Sequence, residues 1–261
     1  MNIGLIGQGA IGRYVREQAR AAGHRIGAVI VRPERLERDD DGVARIASVA
    51  ELPADIGCVL DCAGHSALRQ FGPDLLRRGI DVITVSLGAL ADRSLHDALQ
   101  QAATVGGARL HLASGAIGAL DALRAARVGG LDEVVYSGRK PPLGWKSSPA
   151  EDVLDLSAMR GAAQTHFDGS AREAAIRYPK NANVAAAVAL AGVGFDRTRV
   201  TLIADPGVTA NIHEIRAGGA FGEFRFEIRG RSLPDNPRSS ALAAMSVVAK
   251  LAQQRDALLI G

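Results

Sequence analysis

Aromatic side chains are scarce in this sequence: Phe, Trp and Tyr make up 4% of its 261 residues. A core must therefore be packed from Ala, Val, Leu and Ile. No block of lysine or arginine accompanies the few aromatics, which excludes a nucleic-acid-binding face, since that requires clustered positive charge. No apolar run approaches the ~18 residues of a membrane-crossing helix, so no membrane partner is expected. Cysteine is limited to Cys58 and Cys62, too few for a disulfide framework or a four-thiolate zinc site, and no metal is expected. Both flank an apolar strand candidate and read as buried thiols. The first residues form a strand, with no basic region leading into an apolar stretch, so a secretory signal is not expected and the chain reads as cytoplasmic. The formal charge is only +3, a scattered positive balance that suits small anionic ligands.

Glycine, by contrast, is abundant, with 30 residues, many of them where a strand candidate gives way to a helix. Short apolar strands are expected at 3–6, 26–31, 58–61, 82–85 and 109–113. Helical periodicity falls between them, over about 11–22, 67–78, 92–105 and 117–128. Such alternation predicts a doubly wound parallel sheet. After about residue 130 the rhythm changes. A strand at 133–137 leads into a turn-rich loop, Arg139 to Lys146. Helical segments follow near 150–159, 170–176 and 182–191. Closely spaced strands at 199–203, 211–217 and 223–229 then suggest an antiparallel sheet, which makes the second half α+β. Residues 1–115 are expected to form one domain and 116–237 another, with an amphipathic helix over 238–257 returning to the first. The acidic run Asp39-Asp40-Asp41 reads as solvated surface.

The strongest local signal is Gly7-Gln8-Gly9-Ala10-Ile11-Gly12. Alone a G-x-G-x-x-G pattern is weak, but this one follows a strand, opens a helix and begins a βαβ unit. Gly7 serves the tight turn, Gly9 lets the backbone approach a pyrophosphate, and Gly12 lets helix and strand pack closely. The helix then offers its unpaired N–H groups to phosphate. The first half is thus a Rossmann-type dinucleotide-binding fold, with coenzyme contacts expected from Gly7, Gln8, Gly9, Ala10 and Ile11. The acidic residue that usually ends the second strand is missing, and Arg32 stands near its place. That arginine either meets a 2′-phosphate or is a solvated strand end, so both NAD and NADP stay open. Two further strand ends face such a cleft, Asp61-Cys62-Ala63-Gly64-His65 and Ser86-Leu87-Gly88-Ala89. Ala63 and Gly64 leave room for a coenzyme, and His65 either touches it or caps the next helix.

Several stretches together resemble the L-aspartate dehydrogenase family. They are Gly7–Gly12, Ser114-Gly115-Ala116-Ile117-Gly118-Ala119-Leu120-Asp121, Pro179-Lys180-Asn181-Ala182-Asn183-Val184-Ala185, Asp205-Pro206-Gly207 with Asn211-Ile212-His213-Glu214-Ile215, and Asn236-Pro237-Arg238-Ser239-Ser240. The resemblance spans residue 1 to about 250. It implies NAD(P)-dependent oxidation of L-aspartate to iminoaspartate, which is hydrolysed to oxaloacetate and ammonia or passed to quinolinate formation in NAD synthesis. It also implies a homodimer built on the second domain, His213 as the catalytic residue, and Ala116 and Asn183 as coenzyme contacts.

The chemistry agrees with that assignment. Oxidation of an amine and hydration of an imine both need a proton acceptor near neutral pH, and histidine is the ordinary side chain for this. On its own, a single strand histidine is more often a hydrogen-bonded structural residue than a catalytic one. His213 projects to the same face as Asn211 and Ile215. A dicarboxylate also needs cationic or donor groups, for which Lys140, Lys180 and Asn211 are the candidates. Two other classes remain. One is a homoserine dehydrogenase-like or dihydrodipicolinate reductase-like enzyme, although the reductase's histidine-pair-plus-lysine motif is lacking. The other is a non-catalytic NAD(P) sensor. Sugar oxidoreductases carry Glu-Lys-Pro after the fourth strand, where this chain has Val85-Ser86-Leu87-Gly88.

Overall fold

A computed structural model describes residues 1–36, 42–234 and 236–258. The chain divides into two compact units, Met1–Ala113 with the segment from Ala243 onward, and Ser114–Leu242. The acidic run at 39–41 lies outside the described residues.

In the first unit, strands β1 (Asn2–Ile6), β2 (Arg25–Ile30), β3 (Ala44–Ile46), β4 (Cys58–Asp61), β5 (Asp81–Thr84) and β6 (Leu110–Leu112) form one sheet in the order β3-β2-β1-β4-β5-β6. All neighbours run parallel, and chain order reverses between β1 and β4, the switch point where such sheets bind ligands. The sequence predicts five of these strands. It misses β3, whose three residues are too few to show a period and which is recognisable only by its pairing with Ala28–Ile30 of β2. Helices α1 (Ala10–Ala21), α2 (His65–Arg77) and α3 (Arg93–Gly106) connect the strands. Ile3, Leu5, Val29, Leu60 and Ile83 of the sheet pack with Val15 and Ala19 of α1 in one apolar cluster.

The second unit has helices α4 (Leu120–Gly129), α5 (Ala171–Arg177) and α6 (Asn183–Ala191) and strands β7 (Leu131–Lys140), β8 (Gln164–Ser170), β9 (Arg199–Ala204), β10 (Asn211–Gly219) and β11 (Gly222–Gly230). Sheet order is β11-β10-β7-β9-β8. This corrects the antiparallel expectation for the last three strands. β10 and β11 do form a hairpin, but β9 pairs parallel to β7, which separates it from β10. Because β7 runs to Lys140, the expected loop at 139–146 shrinks to a 3₁₀ turn, Pro142–Trp145. The helix expected at 150–159 is likewise absent. Only Pro149–Asp152 makes a 3₁₀ turn. The Asp155 carboxylate then accepts from the Ser157 and Ala158 N–H groups, the local bonding by which Asp competes with helix.

β9 and β11 alternate cleanly, whereas residues 212–215 of β10 are buried in succession. Val134, Tyr136, Val200, Leu202 and Ile215 are buried on one face. On the other, Glu214 accepts from Arg216 Nε at 2.6 Å and from Arg225 Nε at 2.8 Å. Asn236–Ser240 forms a short strand (β13) against Ser232–Leu233 (β12), which uses the backbone groups that the predicted helix at 238–257 would need. Helix α7 therefore spans Ala241–Ala252, and its Val247 and Leu251 complete the apolar cluster of the first unit.

Close backbone approach in the first unit depends on Gly106. A Cβ there would lie 1.9 Å from the Leu76 carbonyl oxygen and 2.9 Å from the Arg77 carbonyl group. Gly106→Ala should lose about 1–3 kcal/mol of stability in urea titration, the usual cost of overpacking.

Candidate active site

At the end of β1 the chain turns through Gly7, whose φ is +88°. A Cβ on Gly7 would also stand 2.8 Å from the Ala63 Cβ, so the first loop and the loop after β4 touch here. Gly9 caps α1 in extended conformation, without a side-chain cap bond. A Cβ on it would meet nothing within 4 Å, so that side of the backbone is open. At Gly12 a Cβ would come within 2.5 Å of the Gly7 carbonyl oxygen. The first turn of α1, with Ala10 and Ile11, carries no acidic residue. The N–H groups of that turn lack intrahelical acceptors, and together with the positive end of the helix and the open side of Gly9 they suit an anion.

Gly7, Gln8, Gly9, Arg32 and Ala63 line a cavity of about 350 Å³. Arg35, which the sequence reading missed, lines it as well. The Arg32 side chain is largely exposed, with Glu34 4.0 Å away. Gly64 caps α2 at φ +93°, and His65 is the first residue of that helix. These two flank the cavity's loop without lining it. The features fit a dinucleotide: a phosphate cradle, a cavity reaching to the end of β2, and space that only glycine leaves.

The second unit holds the remaining site residues. Asn183 opens α6, and Ala116 is buried after Gly115, whose φ is +71°. His213, 4% exposed, pairs across the β10–β7 ladder with Gly138. Its Nδ1 shares a 2.7 Å hydrogen bond with the Tyr136 hydroxyl, and the two rings lie nearly parallel. A Cβ on Gly138 would stand 2.7 Å from that hydroxyl, so the glycine makes room for the phenol. At the end of β7, the Lys140 ammonium donates to Asn181 Oδ1 at 3.0 Å and sits 4.5 Å from the centre of the Trp145 ring. Gly144 lies between Lys140 and Asn211. A Cβ there would be 3.2 Å from Lys140 Cβ and 3.9 Å from Asn211 Oδ1. Lys180 is exposed in the turn before α6; its neighbour Asn181, not Lys180, meets Lys140.

Burial sets the electrostatics. It pushes the Lys140 ammonium down to about 8. Burial first, and then the charge of Lys140, push His213 down to about 3. An imidazole near its ordinary neutral-range value is therefore not what the fold holds, and the ring is neutral throughout physiological pH. His166 follows the same pattern, lowered to about 4. It stacks edge-on against Trp145 at 4.4 Å and bonds Tyr178, and no sequence motif marked it. Tyr136, Gly138 and Trp145 also escaped the sequence reading, and Asn181 entered it only as part of the Pro179–Ala185 stretch; the relevance of Tyr136 and Gly138 comes from cross-strand neighbours. The alternation of β7 was the one available signal, because it puts Tyr136 and Gly138 on one face. Among the described residues no cluster of His, Cys, Asp and Glu could hold a metal ion.

Known proteins match both units. The family described as "Homoserine dehydrogenase, NAD binding domain" matches residues 3–113, and "Aspartate dehydrogenase, C-terminal" matches residues 121–254. The L-aspartate dehydrogenase of Ruegeria pomeroyi is 54% identical over 99% of this chain and 94% of its own length. That of a Polaromonas species is 48% identical over the full length of both. The crystal structure of aspartate dehydrogenase from Thermotoga maritima superposes with a TM-score of 0.80 at 28% identity, covering 100% of this chain and 99% of its own. With a dinucleotide cradle in one unit and a buried His–Tyr pair beside a lysine in the other, and with these matches along its whole length, the chain belongs to the L-aspartate dehydrogenase family.

Proposed function

We propose that the chain oxidises L-aspartate to iminoaspartate, with His213 as the proton-handling residue and Lys140 as the cation for a substrate carboxylate. The observation that carries this reading is the β7–β10 pairing, which gathers Tyr136, Gly138, Lys140, Asn211 and His213 at one end of a rigid sheet. NAD or NADP would be held by the backbone of Gly7–Ile11 and by Ala63, Gly64 and His65. Ala116 and Asn183 are assigned as further contacts on the family resemblance. A coenzyme held there would supply the acceptor for the hydride leaving the substrate Cα.

The protein side of the chemistry follows from the residues. Neutral His213 has one ring nitrogen engaged with Tyr136, leaving Nε2 for the reacting group. A hydroxyl can donate or accept. The tautomer that donates Nδ1–H to the phenol oxygen gives Nε2 a lone pair, which proton acceptance requires. A base with so low a proton affinity is weak, but a bound dicarboxylate adds negative charge beside it and raises that affinity. Lys140 has one carbonyl acceptor and an aromatic face, so its remaining N–H donors suit a carboxylate, and Asn211 adds a donor amide. Hydrolysis of the imine yields oxaloacetate and ammonia, or the imine passes to quinolinate formation. We place the enzyme in the cytoplasm as a homodimer. No helix among the described residues is long and apolar enough to cross a membrane.

Coenzyme reduction with L-aspartate, compared with homoserine, tests the substrate; no reduction with aspartate under NAD⁺ or NADP⁺ overturns the assignment. His213→Ala should lower kcat about 10²- to 10⁴-fold, the usual contribution of a general base, while coenzyme binding persists in calorimetry. Lys140 is charged below pH about 8. The KM for aspartate should therefore be lowest below that value and rise as pH passes through it. Lys140→Met should raise KM roughly 10- to 100-fold, the worth of a charge-assisted hydrogen bond, and flatten this rise. Replacing both Arg32 and Arg35 by Ala should weaken NADP⁺ by on the order of tenfold and leave NAD⁺ nearly unchanged. Equal effects on the two coenzymes would remove the arginines from 2′-phosphate recognition.

A further inference from the structure

The last residue of β4 is Asp61, fully buried at the carboxyl edge of the first unit's sheet. Its Oδ1 accepts the Ala63 N–H at 3.1 Å, and its Oδ2 accepts the Thr84 hydroxyl at 2.7 Å and the Ser86 hydroxyl at 2.8 Å. The Thr84 oxygen in turn accepts the Ser86 N–H at 2.9 Å, which commits the Thr84 proton to Asp61. Three donors converging on two oxygens are the complement of a carboxylate, and no Lys or Arg pairs with it among the described residues. Thr84 and Ser86 are themselves buried at the end of β5, beside β4 in the sheet.

Burying an unpaired charge is costly, and a tie between two loops does not need one. Neutral groups could hold Ala63 to Ser86 with the same geometry. The charge gains a use when something positive arrives nearby. This fold consists of two mononucleotide-binding halves, and the glycine loop and the cavity toward β2 belong to the first. The second half, with its carboxyl ends at Asp61 and Thr84, is left for the nicotinamide. That ring is positive when oxidised and neutral once it has taken a hydride.

We infer that the Asp61 carboxylate is a redox-tuning residue, whose buried negative charge binds the oxidised coenzyme in preference to the reduced one. The inference rests on the coenzyme reading above. It makes the chain hold NAD(P)⁺ ready for substrate and release the reduced form. Complete burial pushes the Asp61 carboxyl up, and the bonds from Thr84, Ala63 and Ser86 oppose that rise by favouring the ionised form, so they are positioning residues for the same effect.

The test compares Kd values for NAD⁺ and NADH, by calorimetry and by NADH fluorescence, in wild type and in Asp61→Asn. Asparagine keeps the shape and removes the charge. The ratio of oxidised to reduced Kd should rise on the order of tenfold, the effect of one charge at roughly 10 Å in a partly shielded medium. That ratio corresponds to a bound couple shifted up by about 30 mV. Ser86→Ala removes one donor that favours the ionised form and should move the ratio in the same direction, by less than Asp61→Asn. If both coenzymes weaken equally in Asp61→Asn, Asp61 is only a structural tie and the inference falls. Should that variant not fold, carbon NMR of the aspartate carboxyls in wild type decides, because a protonated Asp61 at neutral pH overturns the proposal. Failure of wild type to bind either coenzyme overturns the functional reading itself, a distinguishable outcome.

Discussion

The antiparallel register between β7 and β10 is the constraint on which the chemistry depends. It sets Gly138 opposite His213 and Tyr136 opposite Ile215, so the phenol reaches diagonally across a position with no side chain. Slipping the pairing by one residue would turn His213 to the face where Glu214 meets its arginines. Apolar burial on one side and the charge ladder on the other oppose that slip. The same register ends β7 at Lys140, beside the start of β10 at Asn211. A sheet supplies this accuracy better than a loop does, since every neighbour is hydrogen-bonded in place.

The first unit solves a different problem, which is letting backbone approach backbone. Gly7, Gly12 and Gly106 each occupy a place where a Cβ would collide with a neighbouring chain segment. Gly9 is different, because it faces open space. Three glycines serve packing and one serves access, although a sequence pattern writes them alike.

Much of this was legible beforehand because the periodicities were long or the turn chemistry explicit. The glycine loop, the alternation of strands and helices, and the two strand ends at Asp61 and Ser86 could all be read from residue order. β3 could not, having only three residues. The β7–β9 partnership could not either, because it is non-local and the sequence shows only that β9, β10 and β11 are close along the chain. Local competition explains the missing helix near 150–159, where Asp155 takes backbone N–H groups for itself. At the site, the resemblance supplied His213. Strand alternation alone hinted at Tyr136 and a family stretch contained Asn181, but their partners, like that of Trp145, arise from contacts across 41–77 positions or from ring geometry. Burial likewise lowers the proton affinity of the histidine below the neutral range that the sequence suggested.

Helix α7 has a consequence for biogenesis. Val247 and Leu251 fill a core whose other members include Ile3, Leu5 and Ile83. The nucleotide-binding half is therefore discontinuous in the chain, with the other half encoded between its two pieces. On a ribosome, residues 1–113 emerge early yet wait with an uncovered apolar surface until α7 is made, so completion of this unit is tied to synthesis of the whole second unit.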